Sequence, residues 1–226
     1  MSLRLAFDLD GVFADLGAHL QDPDVAHDAA PDASSSPYET THLARAGRSV
    51  WDRLAATENF WETLREIEPG SLQRLAQLTQ MRRWEVIFLT SRPSTEGDTV
   101  QRQSQRWLEQ QGYPLPSLFV TKGSRGKVAA ALSLDVVVDD NPDNCLDVAM
   151  ESEARAILVW RGEAEVVPEN ATRLGIGTVN TVAECLGLLE EADQDRGRGE
   201  TGFVNALRRV LGLAARRTRK TPPSVP

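Results

Sequence analysis

Two pairs of aspartates, each at the end of an apolar stretch, are the side chains of this sequence best suited to chemistry. Asp8 and Asp10 close the first apolar run, and in an extended strand they would share one side. Asp139 and Asp140 follow a run of valines in the same way. One such pair alone is typical of a strand that ends in a polar turn. If the fold brings two such pairs together, their carboxylates repel each other unless a cation lies between them. The two pairs therefore predict a Mg²⁺ site.

Hydroxyl and ammonium groups follow two further apolar runs of the chain. Thr90 and Ser91 end one of these runs. Lys122 and Lys127 come shortly after the other. A phosphoryl-transfer site needs a carboxylate acceptor, hydroxyl donors and a cation, because these groups position the phosphorus and neutralise its oxygens. The residue types therefore predict such a site, provided that the fold brings the clusters together.

Short apolar runs alternate with helical patterns through most of the chain. The runs predict strands near residues 4–10, 85–90, 118–121, 136–138 and 156–160, with a short sixth element at 178–179. Because these runs are continuously apolar and separated by helices, they indicate an α/β fold with a doubly wound, mainly parallel sheet covered on both faces. Ligands of such sheets bind beyond the carboxyl ends of the strands, where every polar cluster named above falls.

In chain order, the four clusters resemble the four motifs of the haloacid dehalogenase-like phosphatase superfamily. The matching segments are Asp8-Leu9-Asp10-Gly11-Val12, Phe88-Leu89-Thr90-Ser91, a lysine, and Val138-Asp139-Asp140. Residues 59–72 are also similar to the 5'(3')-deoxyribonucleotidases. The resemblance implies a Rossmann-like catalytic core at residues 1–12 and 70–192. It also implies a partly irregular helical cap, of the C1 type, at residues 13–69.

The same resemblance implies roles for the aspartates. Asp8 would be the nucleophile that forms an aspartyl-phosphate, and Asp10 would be the general acid and base. Mg²⁺ would be bound by Asp8, by the backbone carbonyl of Asp10 and by Asp140. Asp139 would lie behind these ligands and support them without contacting the metal directly.

The resemblance further implies that the phosphate group is bound by Thr90, Ser91 and a lysine. Lys127 is the first choice for that lysine, because it lies at a helix start at a suitable distance before the fourth motif. Lys122 directly follows the third strand and is the second choice, and Arg125 lies near both. A lysine that does not serve the site would be a solvated surface cation.

Aromatic residues in the predicted cap are candidates for substrate contact. Phe60 and Trp61, together with Trp51 and Tyr38, could stack on a nucleobase, which favours flat aromatic faces. The favoured alternative is that two or more of these residues form the small core of the cap. Arg92 follows the hydroxyl pair and could face the substrate, and a structural ion pair is an equally good interpretation.

The predicted function is Mg²⁺-dependent hydrolysis of a small phosphorylated metabolite, with a 5'- or 3'-nucleoside monophosphate among the candidates. A first alternative is a phospho-accepting receiver domain, in which an aspartate ends the third strand. Here that strand ends in Val120-Thr121, which counts against a receiver. A second alternative is a catalytically silent binding protein with the same fold.

The charge of the chain, −8 overall, is unevenly distributed. From Arg196 onward there are eight basic residues and one glutamate, whereas the preceding residues include 17 basic and 32 acidic ones. The acidic body argues against a nucleic-acid polymer as a partner. The basic tail, residues 193–226, has apolar residues at helical spacing and could contact an anionic membrane surface or a protein partner. A helix docked on the acidic body, or a disordered end, is the favoured interpretation.

The sequence also carries expectations about the compartment. No apolar run approaches the ~20 residues that span a bilayer, and the N-terminus lacks the pattern of a secretory signal. Cys145 and Cys185 are isolated from each other, which is typical of buried thiols in a reducing compartment. We therefore expect a cytoplasmic protein without a transmembrane segment.

Overall fold

The computed structural model describes residues 2–20, 48–162 and 174–196 of the 226-residue chain. Its strands are β1 (Arg4–Asp8), β2 (Glu85–Thr90), β3 (Ser117–Val120), β4 (Val136–Asp139), β5 (Arg155–Val159) and β6 (Gly177–Val179). Its helices are α1 (Leu16–Leu20), α2 (Arg48–Ala56), α3 (Ser71–Arg82), α4 (Val100–Gln110), α5 (Arg125–Ala131), α6 (Pro142–Glu151) and α7 (Val182–Arg196), with a 3₁₀ helix at Phe60–Glu62. The apolar runs of the sequence thus correspond to the strands, including the short sixth one.

The strands form a single parallel sheet in the order β3-β2-β1-β4-β5-β6. This is the strand order of doubly wound Rossmann sheets, in which the direction of winding reverses between β1 and β4. The predicted fold class, an α/β protein with a doubly wound parallel sheet, is therefore confirmed. In sheets of this kind the ligand crevice opens beyond the carboxyl ends of the strands at the reversal, here β1 and β4.

Alternating side chains of β1 are buried against helices on the two faces of the sheet. Leu5 and Phe7 belong to the larger core, which also contains residues of α2, α3, α4 and α7. Ala6 belongs to the smaller core, which contains residues of α5 and α6. Because side chains two residues apart share a face of a strand, Asp8 continues the side of Ala6, toward α5. The sheet therefore directs the last residue of β1 at the start of α5.

Two helices that follow strands begin at side-chain caps close to the carboxyl edge of the sheet. The Asn141 side chain accepts a hydrogen bond from the backbone N–H of Asp143, and Pro142 occupies the first turn of α6. The Ser124 side chain caps α5 by accepting from the backbone N–H of Lys127. The predicted start of α6 is confirmed, and both caps hold a helix N-terminus next to the strand ends.

The predicted cap, residues 13–69, is described in two parts. α1 lies shortly after β1, and α2 and the 3₁₀ helix precede α3, while residues 21–47 lie outside the described residues. Phe60 and Trp61 of the 3₁₀ helix are buried in the same core as Phe7 of β1 and Trp107 of α4. The 3₁₀ helix is therefore held by the core of the sheet, and not by a separate apolar unit.

The last described helix, α7, ends at Arg196 and so continues into the segment assigned to the tail, residues 193–226. The remainder of that tail, with its basic and apolar residues, lies outside the described residues. Neither α7 nor any other helix in the described ranges combines the length and the apolar character needed to cross a membrane.

Candidate metal and phosphate site

Three carboxylates meet at the carboxyl edge of the sheet, where β1 and β4 lie side by side. Asp8 ends β1, Asp139 ends β4, and Asp140 follows directly. One ligand oxygen from each of these residues lies within 4.8 Å of the other two. The structure therefore brings together residues from both acidic pairs of the sequence. Three carboxylate oxygens at this spacing form a donor set that suits a hard divalent cation such as Mg²⁺.

The negative charge of this cluster is only partly balanced by protein groups. Burial raises the pKa of Asp8 well above its ordinary value, and the charge of Asp139 raises it further, while Arg125 opposes the shift. Loss of surrounding water likewise raises the pKa of Asp140, and so do the charges of Asp139 and Asp10. Because the protein environment disfavours these charges at neutral pH, a cation held among the carboxylates would stabilise them. The residues therefore fit a metal ion.

Asp139 differs from the other two carboxylates because hydrogen-bond donors of the protein surround it. Its Oδ1 accepts from the backbone N–H of Asn141 at 2.9 Å, and the Asn144 side-chain amide lies 3.1 Å from Oδ1 and 3.0 Å from Oδ2. Burial raises its pKa, whereas Arg125 and these donors oppose the rise. Asp139 is thus held in place by α6, which suits a supporting role beside Asp8 and Asp140.

Arg125, the first residue of α5, is the cation that the fold brings to the carboxylates. Its side chain is buried, and Nη2 donates a hydrogen bond of 2.8 Å to Oδ1 of Asp8. Nε lies 3.7 Å from Oδ2 of Asp139. The third nitrogen, Nη1, is buried without a hydrogen-bond partner among the described residues. A buried N–H group without an acceptor is costly, so this nitrogen marks a place where an anionic ligand atom would be favoured.

The two lysines predicted for this position lie elsewhere. The side chains of Lys127 and Lys122 are exposed, and neither forms an ion pair with a carboxylate of the described residues. Their placement on the surface is that of solvated cations, and Arg125 lies beside Asp8 where the lysine was expected. No pattern of the sequence identified Arg125 as this cation, because its placement depends on the neighbouring Gly126, where an added Cβ would lie 2.3 Å from the backbone oxygen of Asp147. This close approach of α5 to α6 directs Arg125 inward.

The turn after β1 is shaped to admit the Asp140 carboxylate. Gly11 has a φ of +81°, and a Cβ built there would lie 2.0 Å from Oδ2 of Asp140. Glycine is therefore required both by its backbone conformation and by the space available. Arg161, which follows β5, donates to the backbone oxygens of Gly11 and Val12. Arg161 was not among the predicted site residues, although its place just beyond the end of a strand was a signal.

The second aspartate of the first motif, Asp10, is engaged by Arg92. Nε of Arg92 lies 3.1 Å and 2.9 Å from the two carboxylate oxygens, and Nη2 donates to Oδ1 at 2.8 Å. Nη1 donates to the Ser104 hydroxyl at 2.9 Å. The guanidinium carbon lies 4.7 Å from the centroid of the Trp61 ring and 5.6 Å from that of Trp107. Of the two interpretations of Arg92, the structural ion pair is the one that is observed, and its partner is Asp10.

The hydroxyl pair after β2 lies at the same edge of the sheet. Asp8 is paired with Leu89 in the register of β1 and β2, so Thr90 lies one residue beyond the level of Asp8. Thr90 is buried, and its hydroxyl oxygen lies 3.4 Å from the backbone nitrogen of Arg92. Ser91 is exposed and borders a cavity next to Asp10. Both residues thus lie at the edge that carries the carboxylates, with Thr90 buried and Ser91 exposed.

Phe60 and Trp61 are buried, but they belong to the main core of the sheet and not to the separate small core of the cap that the favoured interpretation expected. Their rings meet edge to face with centroids 4.9 Å apart, and the Trp61 indole N–H donates to the Pro93 oxygen at 3.0 Å. Trp61 still borders the cavity next to Asp10, together with the half-buried Trp51. Neither Phe60 nor Trp61 presents an open face for stacking, and Tyr38 lies outside the described residues.

Comparison with known proteins adds no relative to this picture. No protein-family model matches the chain, and no curated protein matches it significantly. The chemistry of the site is therefore inferred from its own residues and their geometry.

Proposed function

We propose that the protein is a Mg²⁺-dependent phosphomonoester hydrolase that works through an aspartyl-phosphate on Asp8. The observation that carries this proposal is the surroundings of Asp8 at the carboxyl end of β1. Two carboxylates that could share a cation with Asp8 lie close by, and the Arg125 guanidinium donates a hydrogen bond to its Oδ1. A carboxylate next to both a candidate metal site and a fixed guanidinium is suited to attack a phosphorus atom, because both cations could neutralise the phosphate oxygens.

The reaction has two steps. Asp8 is the nucleophile in the first step and the leaving group in the second, while Asp10 acts first as an acid and then as a base. In the first step an Asp8 oxygen forms a bond to phosphorus, the bond from phosphorus to the ester oxygen breaks, and Asp10 gives the departing alcohol a proton. In the second step Asp10 takes a proton from water, the water oxygen bonds to phosphorus, and Asp8 is released. The products are the alcohol and inorganic phosphate.

A bound Mg²⁺ would be held by Asp8, Asp140 and the backbone oxygen of Asp10, and would supply positive charge to the phosphate oxygens. Arg125 would supply the complementary charge, because its buried Nη1 has no acceptor among the described residues. The hydroxyls of Thr90 and Ser91 would bind further phosphate oxygens. The order of these clusters along the chain, which resembles that of haloacid dehalogenase-like phosphatases, supports the same reaction.

The receiver-domain alternative is less well supported by the sheet. Receiver domains have the strand order 2-1-3-4-5, whereas the order here is 3-2-1-4-5-6. The residue that ends β3 is Val120, and it is not an acceptor. The catalytically silent alternative differs from the proposal by a single observable, because only an enzyme would release phosphate repeatedly.

The proposal predicts that purified protein releases phosphate from p-nitrophenyl phosphate when Mg²⁺ is present and stops when EDTA is added. The Asp8→Asn variant should lose activity by about 10³-fold or more, since the attacking oxygen is replaced by an amide. The fold should be retained in that variant, because burial already disfavours the Asp8 charge. Phosphate release and circular dichroism measure the two outcomes.

The matched control is Asp143→Asn, which changes an exposed carboxylate on α6 and should leave the rate unchanged. Substantial turnover by Asp8→Asn would disprove the mechanism. A lasting covalent phosphate on the wild-type protein, without repeated turnover, would favour the receiver alternative instead.

A further inference from the structure

A cavity of about 470 Å³ adjoins Asp10 and extends between α2, the 3₁₀ helix and the loop after β2. Its volume lies within the range of roughly 300–1,000 Å³ that is usual for small-molecule sites. Most of its wall is apolar and is formed by Trp51, Leu54, Ala55, Trp61 and Pro93. Asp10, the residue that would exchange a proton with the leaving alcohol, forms part of the wall. The cavity therefore lies where the alcohol portion of a substrate would be.

The charged groups of the cavity are poorly suited to a second anion. The described residues that line it include two carboxylates, those of Asp10 and Asp52, and one guanidinium, that of Arg92. All three nitrogens of that guanidinium already donate hydrogen bonds, to Asp10 and to Ser104. A phosphate or carboxylate on the leaving group would therefore meet two negative charges and no free cation of the described wall. An uncharged group meets no such penalty.

The walls of the cavity are fixed by hydrogen bonds that tie the loop after β2 to α2 and the 3₁₀ helix. The backbone N–H of Glu96 donates to the Ala55 oxygen at 2.8 Å, and the Glu96 oxygen accepts from the N–H of Asn59 at 2.8 Å. The Asn59 side chain in turn accepts from the N–H of Asp98 at 2.9 Å. The Trp61 indole donates to the Pro93 oxygen. A wall held in this way forms the cavity before any ligand binds.

We propose that this cavity binds the leaving group of the substrate and selects an uncharged, ring-bearing alcohol over a polyol or an alcohol with a second phosphate. The inference rests on the proposed function, because it assigns the leaving-group side of the same site. A flat or alicyclic ring would fill the space between the Trp51 and Pro93 sides and remove apolar surface from water. A polyol could pair with the hydroxyls of Ser91, Ser94 and Thr95, which also line the cavity, but it would bury little apolar surface against the rest of the wall and would therefore bind less well.

The test compares three phosphomonoesters of primary alcohols, so that the leaving groups have similar intrinsic reactivity. These are 2-phenylethyl phosphate, glycerol 3-phosphate and propane-1,3-diol bisphosphate. For the wild-type protein, kcat/KM should be at least about 10-fold higher with 2-phenylethyl phosphate than with either of the others, as expected for an apolar group in a fitting pocket. Equal values for the three esters would overturn the inference and leave the proposed function standing.

Ala55→Phe is the variant that probes the cavity, because Ala55 is an exposed residue of α2 whose side chain lines it. The variant should lower kcat/KM for 2-phenylethyl phosphate by about 10-fold or more and change the value for glycerol 3-phosphate by less than about threefold. Ala56→Phe adds the same ring one residue later, outside the cavity lining, and should leave both values unchanged. A similar loss for both esters in Ala55→Phe would overturn the inference.

The charge argument is tested with Asp52→Lys, which places a cation at the cavity. This variant should raise kcat/KM for propane-1,3-diol bisphosphate by about fivefold, the size expected of a partly exposed ion pair. No increase would contradict the assignment of the leaving group to this cavity.

Calorimetry with 2-phenylethanol separates failure of the inference from failure of the proposed function. The neutral alcohol should bind wild-type protein, and binding should weaken in Ala55→Phe and persist in Ala56→Phe. If no ester is hydrolysed, the proposed function fails, whatever the calorimetry gives. If esters are hydrolysed and the alcohol does not bind, the cavity assignment alone is overturned.

Discussion

The guanidinium of Arg125 is buried where three carboxylates meet, and its fork geometry explains why an arginine is useful there. One arm of the fork donates to Asp8, while Nη1 has no acceptor among the described residues and could donate to another anion. Arginine can bind two anionic groups at once with fixed geometry, whereas an ammonium group acts as a point charge. A single residue can therefore orient Asp8 and bind a phosphate oxygen at the same time.

Replacement of Arg125 by Met should lower kcat for phosphate release by about 10²–10³-fold, the loss expected when one charged donor to a transition state is removed. Lys127→Met and Lys122→Met should retain wild-type kcat, because neither substitution removes a contact to the carboxylates of the described residues. Steady-state kinetics on the three variants measure the difference. A large loss in Lys127→Met together with an active Arg125→Met would restore the lysine assignment.

At this scale, residue types were easier to predict than side-chain directions. The acidic pairs could be predicted to meet, because strand ends of a parallel sheet share an edge, and Asp8, Asp139 and Asp140 do meet. The cation could not be chosen from spacing, because the direction of Arg125 depends on how closely α5 approaches α6 at Gly126. That approach is a contact between distant parts of the chain, and local sequence does not specify it.

Two glutamates in the segment before α3 connect separate elements of the fold. Glu66 accepts from the backbone N–H groups of Gly70 and Leu72 and so caps α3. Glu68 accepts from the N–H of Val182 at 2.8 Å and thereby caps α7, which is more than a hundred residues away. Through Arg161, which donates to Glu68 and to the Val12 oxygen, this cap is joined to the turn after β1.

Glu68→Gln should lower the melting temperature at pH 7 by about 2–4 °C. Loss of a helix cap costs about 1 kcal/mol, and in a domain of this size a loss of about 1 kcal/mol lowers the melting temperature by about 2–4 °C. Burial alone would raise the pKa of Glu68, but the N–H groups of Val182 and Ala183 and the Arg161 guanidinium lower it below its ordinary value of 4.5. The stabilisation is therefore fully present above pH 4.5 and is lost as the pH falls through the lower folded-state pKa.

Melting temperatures of wild type and Glu68→Gln, measured across this pH range, should accordingly converge in acid. Glu153→Gln, a change at an exposed residue, serves as the control and should show no pH-dependent difference from wild type. A difference between wild type and Glu68→Gln that stays constant from pH 7 to pH 3 would contradict the capping role.

Element types could be read from the sequence, whereas their neighbours in space could not. Continuous apolar runs such as Val136–Val138 are characteristic of strands buried on both faces, and the Asn141-Pro142 pair indicated the start of α6. The strand order, by contrast, depends on pairings such as β1 with β4, which are more than a hundred residues apart. The burial of Phe60 and Trp61 in the main core also depends on contacts between separate parts of the chain, such as the hydrogen bond from the Trp61 backbone N–H to the Gln103 side chain.

Across the whole molecule, the reversal of winding between β1 and β4 concentrates negative charge at one edge of the sheet. Burial and the neighbouring carboxylates raise the pKa of both Asp8 and Asp140. A raised folded-state pKa means that stability is lost as the pH rises through that pKa, so the ionised cluster destabilises the metal-free protein at neutral pH. The cluster thus costs the fold stability that a bound cation could restore.

Asp140→Asn removes one of these charges while keeping the size of the side chain, and it separates stability from metal binding. In EDTA at pH 7.5 the variant should melt about 2–4 °C above wild type, which corresponds to about 1 kcal/mol for a domain of this size. Because Asp140 is protonated below its raised folded-state pKa, this advantage should shrink as the pH falls.

Addition of Mg²⁺ should reverse the order of the two melting temperatures, since a cation that binds only the folded state stabilises wild type by about 2.7 kcal/mol at 100 times its Kd. Scanning calorimetry of both proteins, with EDTA and with Mg²⁺, measures the four melting temperatures. A variant that is less stable than wild type in EDTA would contradict the destabilising role of the Asp140 charge, and an equal response of both proteins to Mg²⁺ would remove Asp140 from the metal site.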